Sequence, residues 1–588
     1  MRIWIFRLIA VCLPLVLLLL IELGLRLASY GRDIPLFITN PTHPDYILPR
    51  PDIIQRYFPA NAPTPKVSME ANFLLRDKPN NGLRIVVQGG STAAGYPYGW
   101  GASIAGMLDH RIRASEPQRY VEVVNTAMSA VNSYTLLDFA DEIIAQQPDA
   151  VLIYAGHNEY LGILGVGSNF SMTGSALLTR WYLRLQHLRL FQLVQNTLYA
   201  LQQAPADKSA TDVTQTNKHN LGQTSNNQRT LMSQVAKERN IELDSALFDA
   251  GITQFEANMT RLLDKYQRAG VPVLLSTIAS NELDQAPFVS VPVPEALQSE
   301  LNALPALHQT LSAQAISAHV QQLLAKVLDS DSADAHFALG RMCAQMQQIR
   351  CARHALAQAI ELDALRFRAP QAINQVITTL AQRDGVYLVD SQARLRARHP
   401  QGLIGKNVML EHLHPNVAGY FVIANAFYDT LYEHVLPATN KTVPINTAWQ
   451  RRPIIPSEEY VGFADILALT SDYPFSKTPK PFALPKPSNW EERLGLDKVE
   501  RKTDWLSMQR QALARYQSSQ QEAMATKTQR IIADALPHDP VENLRAAQRL
   551  LKAQRLPEAL YYFQRAKRAG TMNIDSVIAR LEKALGQS

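Results

Sequence analysis

Four short stretches of the chain carry side chains whose types and spacing suit chemistry. Ser91 stands in Gly89-Gly90-Ser91-Thr92, directly after the apolar run Arg84-Ile85-Val86-Val87-Gln88. Two glycines permit a tight turn that holds a hydroxyl clear of the backbone. Such a hydroxyl suits a nucleophile, a phosphate-binding loop or an ordinary turn. A phosphate loop needs Lys before Ser/Thr, and Gly90 is there instead. Asn125-Thr126-Ala127-Met128-Ser129-Ala130 and Gly156-His157-Asn158-Glu159 each follow a further apolar run, and Glu411-His412-Leu413-His414-Pro415-Asn416 comes far downstream. His412 and His414 share a face if the segment is extended, and with Glu411 they could ligate a metal. No third nitrogen ligand stands nearby in sequence, so neither a metal nor another cofactor is assigned. His157 reads as pocket lining or as a surface histidine. The rings of Gly95-Tyr96-Pro97-Tyr98-Gly99-Trp100 suit a wall facing a sugar or acyl group, or a cover packed over the next helix.

These stretches need a frame. Strands are expected at 84–88, 121–124, 150–154, 271–276 and 386–389, with helices at 102–113, 136–146, 255–269, 372–383 and 417–434. Strands alternating with helices of ten or more residues imply an α/β fold, a parallel sheet with helices on both faces. Open parallel sheets gather their sites at the strand C-termini, where Ser91, Asn125–Ala130 and Gly156–Glu159 all fall.

The order of blocks (serine, small-residue turn, Gly-x-Asn, acid-x-x-His-Pro) resembles the SGNH (GDSL-type) hydrolase family, over roughly residues 80–165, 250–280 and 366–437. The resemblance implies Ser91 as nucleophile, His414 as its general base and Glu411 as the acid that orients the imidazole. It also implies an oxyanion and substrate-binding set made of the Ser91 and Ala130 amides, the Asn158 side chain and Gly156. Three positions depart from the family. Its aspartate before the serine is Gly90 here, its second-block glycine is Ala130, which serves through its N–H if φ is negative, and its orienting aspartate is Glu411. Asp390 is the fallback acid.

Two insertions interrupt the 80–437 hydrolase-like domain. The first, 166–250, holds an apolar and basic part (181–201) and a Ser/Thr/Asn/Gln run (206–230) that reads as flexible loop. Arg180, Arg184 and Arg189 of this insertion suit anionic lipid headgroups or a helix snorkelling on the protein's own surface. The second, 281–365, is helical. Leu339, Gly340, Ala352, Leu356 and Ala359 fall where a tetratricopeptide unit needs its small and large packing residues, and Leu550, Ala559, Phe563 and Ala566 repeat the match more weakly. One or two such units do not stand alone, so they pack on the main domain. Cys343 and Cys351 of the first unit form a bridge or remain two buried thiols. A Pro-rich linker (438–487) and a C-terminal helical tetratricopeptide-like domain (488–588) complete the chain.

The 588 residues are 46% apolar and carry a net charge of +6 with no Lys/Arg block, which excludes wholesale disorder and argues against nucleic acid as a partner. Three cysteines exclude a disulfide scaffold. Leu8 to Leu25 is an eighteen-residue apolar run behind Arg2 and Arg7. That predicts a transmembrane signal-anchor within residues 1–30, single-pass in the inner (cytoplasmic) membrane, with the bulk of the chain on the periplasmic side. With the family resemblance, this implies a membrane-anchored serine esterase acting on an O-acyl ester, such as a carbohydrate or cell-envelope acetyl ester. The same residues suit an O-acyltransferase on an envelope polysaccharide. They also suit a non-catalytic assembly scaffold whose tetratricopeptide-like helices dock a protein partner.

Overall fold

The computed structural model describes residues 2–169, 176–203, 232, 240–441, 443–478 and 480–586. The 206–230 run lies outside them. The chain enters the fold through a small antiparallel sheet of β1 (Phe37–Thr39), β2 (Tyr46–Pro49) and β3 (Leu74–Leu75). The main sheet follows: β4 (Gly82–Gly89), β5 (Tyr120–Asn125), β6 (Ala150–Tyr154), β7 (Val273–Ser276) and β8 (Val386–Val389). All its pairings are parallel, in the order β5-β4-β6-β7-β8.

Residues of β4 to β7 are buried on both sides, and only the edge strand β8 has half-buried and exposed positions, Tyr387 and Leu388. Continuous Val/Ile/Leu runs fit this burial because helices cover both faces. Helices Ile104–Ser115 and Val417–His434 pack together on one face, and Ser133–Ile144, Ala246–Arg268 and Gln371–Leu380 on the other. The strand order reverses between β4 and β6. That crevice at the strand C-termini is where a doubly wound sheet leaves room for a ligand.

The expected elements are present with modest shifts at their ends. β6, β8 and helix Val417–His434 match the expectation, whereas the helix after β5 starts at Ser133 and that before β7 at Ala246. The 281–365 insertion contains four helices, Glu295–Thr310, Ala313–Leu328, Ala333–Gln345 and Ile349–Glu361. Leu339, Ala352, Leu356 and Ala359 are buried among them, and Cys343 and Cys351 are joined in a disulfide, their Cα atoms 5.8 Å apart. Residues 488–586 form six more helices. They join the main domain through one apolar cluster, in which Leu550, Leu560 and Phe563 meet Tyr46, Leu75 and Tyr120. Tyr561 also donates its hydroxyl to the Val121 carbonyl at 3.0 Å. The C-terminal helices thereby cover the β5 edge, which would otherwise offer unpaired strand groups.

One expectation needs correction. The 438–487 segment is not a bare linker. It contains helices Ile445–Gln450 and Pro456–Thr470, and its Ile454 and Ile455 are buried. Pro456 sits at the helix start, where a missing N–H costs nothing; a Pro-rich composition concealed a structured segment. At the N-terminus, Arg2–Leu27 is one helix, yet among the described residues no helix is long and apolar enough to cross a membrane. Of the Leu8–Leu25 run, the side chains of Leu8, Ile9 and Val11 lie outside the described residues.

Candidate active site

Ser91 opens a single helical turn, Ser91–Ala94, at the end of β4. Its Oγ lies 2.7 Å from His414 Nε2, across 323 residues of sequence. Two contacts hold the strand ends together here. Thr92 Oγ1 donates to the Leu413 carbonyl at 3.4 Å, and Met128 N–H donates to the Gly89 carbonyl at 3.2 Å. The histidine is carried by a tight loop in which Leu410 N–H donates to the His414 carbonyl at 2.8 Å. Asn416 then caps helix Val417–His434, its side chain accepting from Gly419 N–H at 2.9 Å.

Glu411 receives four N–H groups. Oε1 accepts from the His414 amide at 3.1 Å and contacts His414 Nδ1; Oε2 accepts from the His412 amide at 2.6 Å and contacts His412 Nδ1. These contacts occupy both oxygens of a carboxylate that is itself buried. It places the proton of His414 on Nδ1 and leaves Nε2 as an acceptor facing the Ser91 hydroxyl. Burial pushes the His414 imidazole down to about 3, so the ring is neutral at physiological pH, the state a general base needs. The Glu411 carboxylate works against that shift by favouring the imidazolium. The donor atoms of Glu411, His412 and His414 fall within 4.8 Å of one another. Hydrogen bonds within the trio engage both Glu411 oxygens and the Nδ1 atoms of His412 and His414.

Asn158 lies at the end of β6, and its Nδ2 donates to the Val131 carbonyl at 2.9 Å, leaving its second hydrogen for another acceptor. A Cβ on residue 90 would stand 2.9 Å from that Nδ2. Gly90 therefore leaves the Asn158 amide space beside Ser91, where a larger residue would crowd it. Gly156 has φ +150°, and a Cβ there would come within 2.6 Å of Ile278 and Ile373. It shapes the floor on which Asn158 stands. Ala130 departs from the expectation of a negative φ, lying in the left-handed region at +62°. The chain must reverse between β5 and helix Ser133–Ile144 there, and the Ala130 carbonyl is held by Ile163 N–H at 2.7 Å. Among the described residues, no group accepts from the Ser91 or Ala130 amide. The Ser91 and Ala130 amides and the second hydrogen of Asn158 Nδ2 are thus left without an acceptor among the described residues.

The chain matches no family model, no curated protein and no solved structure.

Several contacts at the site were not legible beforehand. His412 shares the Glu411 carboxylate, and its ring sits among Phe288, Phe367 and Phe475, with centroids 5.6, 6.3 and 5.3 Å away. Phe288 lies near the start of the 281–365 insertion, Phe367 just after its end, and Phe475 comes from the segment read as linker. Tyr96 packs its ring 4.7 Å from His414, whereas Tyr98 and Trp100 of the same loop pack on the core, Tyr98 against Tyr420. The Tyr96 carbonyl accepts from the Tyr420 hydroxyl at 2.5 Å. His157 is buried rather than on the surface, its Nδ1 accepting from Ala369 N–H at 3.2 Å. Burial first, then the nearby His414, pushes it down to about 3. Asp390 is excluded as the orienting acid, since its carboxylate caps helix Ser391–Arg396 and accepts from Thr277. Behind the Ala130 turn, Glu159 accepts from Ser133 N–H at 2.7 Å and Ser133 Oγ at 2.8 Å. Burial raises this carboxyl to about 7. Only the adjacency of Glu159 to Asn158 hinted at that support.

Proposed function

We propose that the chain is a serine esterase of SGNH type, exported and membrane-anchored, which cleaves an O-acyl ester through an acyl-Ser91 intermediate. The observation that carries this reading is the 2.7 Å contact between Ser91 Oγ and His414 Nε2, with His414 Nδ1 on Glu411. Ser91 Oγ attacks the ester carbonyl carbon while His414 Nε2 takes its proton. The carbonyl oxygen, now anionic, meets the Ser91 and Ala130 amides and Asn158 Nδ2; each such donor is worth roughly 100–1,000-fold in rate. Collapse expels the alcohol, which takes the proton back from His414. Water then repeats the cycle on the acyl-serine, giving the free acid and restoring Ser91. Interception of the same intermediate by a sugar hydroxyl gives acyl transfer.

The position of the site at the β4/β6 reversal supports the family reading, as does the order Ser91, Ala130, Asn158, His414. The helical pairs at 333–361 and 540–568 support tetratricopeptide-like units that receive a protein partner. The Leu8–Leu25 run supports the anchor. Labelling of the purified full chain with a fluorophosphonate tests the chemistry. Wild type should label covalently at Ser91, Ser91→Ala should not label, and His414→Ala should label far more slowly. Absence of labelling in wild type rejects the esterase and leaves the scaffold. Acetyl-ester hydrolysis with and without sugar acceptors then separates esterase from transferase.

A further inference from the structure

Helices Ala176–Leu185 and Arg189–Gln203 form a pair that turns much apolar surface to solvent. Several of their polar side chains bond inward, although Arg184 and Thr197 are exposed. Gln192 donates Nε2 to the Arg32 carbonyl at 2.9 Å and accepts from Arg32 N–H at 2.8 Å. Asn196 accepts from Ala60 N–H at 2.9 Å, and Gln195 donates to the Tyr182 hydroxyl at 3.1 Å. Tyr182 and Leu183 pack into the core, but a second set of apolar side chains faces outward. Leu177, Leu178 and Trp181 are 58, 52 and 51% exposed, and Val194, Leu198 and Leu201 are 49, 54 and 66% exposed. Trp181 follows Leu177 and Leu178 by four and three residues, and Val194, Leu198 and Leu201 are spaced by four and three, so each set shares one face. Contiguous exposed apolar patches mark a surface that is covered in the working state.

What covers this face follows from its neighbour. The root of the Arg2–Leu27 helix is joined to the corner between the two helices: Glu22 Oε2 accepts from Leu190 N–H at 2.8 Å, and Arg26 donates to the His187 carbonyl at 3.1 Å. Beyond that root the helix exposes an unbroken leucine surface, with Leu15, Leu17, Leu19 and Leu20 all more than half exposed. Arg184, exposed on the first helix of the pair, and Arg180 stand among its leucines, a combination suited to anionic headgroups over an apolar layer. Trp181 fits the same boundary.

We propose that this helix pair lies in the lipid–water boundary with Leu177, Leu178, Trp181, Val194, Leu198 and Leu201 immersed, holding the body of the protein against the bilayer. The proposal rests on the anchor reading, not on the chemistry of Ser91. The test uses the full chain in vesicles of phosphatidylethanolamine and phosphatidylglycerol, with Cys12→Ser as background. Nitroxide labels go on Leu178→Cys and Leu198→Cys, and on Ser519→Cys as a control. Labels at 178 and 198 should be several-fold more accessible to oxygen than to a water-soluble nickel complex, with the reverse at 519. Flotation with the vesicles but water-like accessibility at 178 and 198 overturns the docking alone. Labels immobilised and shielded from both reagents overturn it in favour of a protein partner. Failure to float overturns the anchor and the docking together.

Discussion

At the scale of single residues, the site depends on one carboxylate holding two imidazoles. Glu411→Gln keeps the shape but can present an amide N–H to His414 Nδ1, which favours the wrong tautomer. Turnover should fall by about ten-thousand-fold, with KM little changed, as in other triads whose acid is made an amide. The pH profile follows from burial. His414 accepts a proton only when neutral, so activity is lost as pH falls through its depressed value. The acid limb of kcat/KM should therefore lie below the ~6.5 of an ordinary histidine. A stability measurement gives the same sign. His157 and His414, both pushed down to about 3, bind protons more readily when unfolded. Stability should fall as pH drops from ~6.5, and stability independent of pH over that window would contradict their burial as neutral rings.

At the scale of elements, the turn from β5 into helix Ser133–Ile144 carries strain that its sequence does not relieve. Ala130 occupies φ +62°, a conformation costing an L-residue roughly 1–2 kcal/mol. Ala130→Gly should stabilise the protein by about 0.5–1 kcal/mol after the added freedom of glycine in the unfolded chain is counted. Urea denaturation reads this directly. Labelling by fluorophosphonate should persist in the variant, because the amide remains.

At the scale of the whole molecule, the helical insertion is clamped at its neck by a buried ion pair. Arg368 and Asp363 are each 2% exposed and 2.9 Å apart. Asp363 also accepts from the amides of Phe288 and Val289, and Arg368 donates to the carbonyls of Asn281 and Gln285. Removing one partner strands a buried charge, so Asp363→Ala should cost about 3–5 kcal/mol, measurable by thermal or chemical denaturation. The same neck presents Phe288 and Phe367 to His412, so the variant should also slow Ser91 labelling. Unchanged labelling in a destabilised variant would uncouple the insertion from the site.

Much was already legible along the chain. Apolar runs alternating with amphipathic stretches dictated a parallel α/β sheet, because runs buried on both faces carry no polar alternation. The Gly-Gly-Ser turn, the Gly-x-Asn block and the Glu-x-x-His block marked the strand and loop ends that meet. Other features depended on contacts between residues hundreds of positions apart. These include the left-handed Ala130, the aromatic cage around His412, the packing of 438–487 onto the site and the outward leucines of 176–203. A backbone dihedral is set by the elements that flank a turn, and the facing of a helix by what it packs against; neither has a local signature in residue type. Composition supplied the candidates for the site, and only the closing of the chain decided which of them touch.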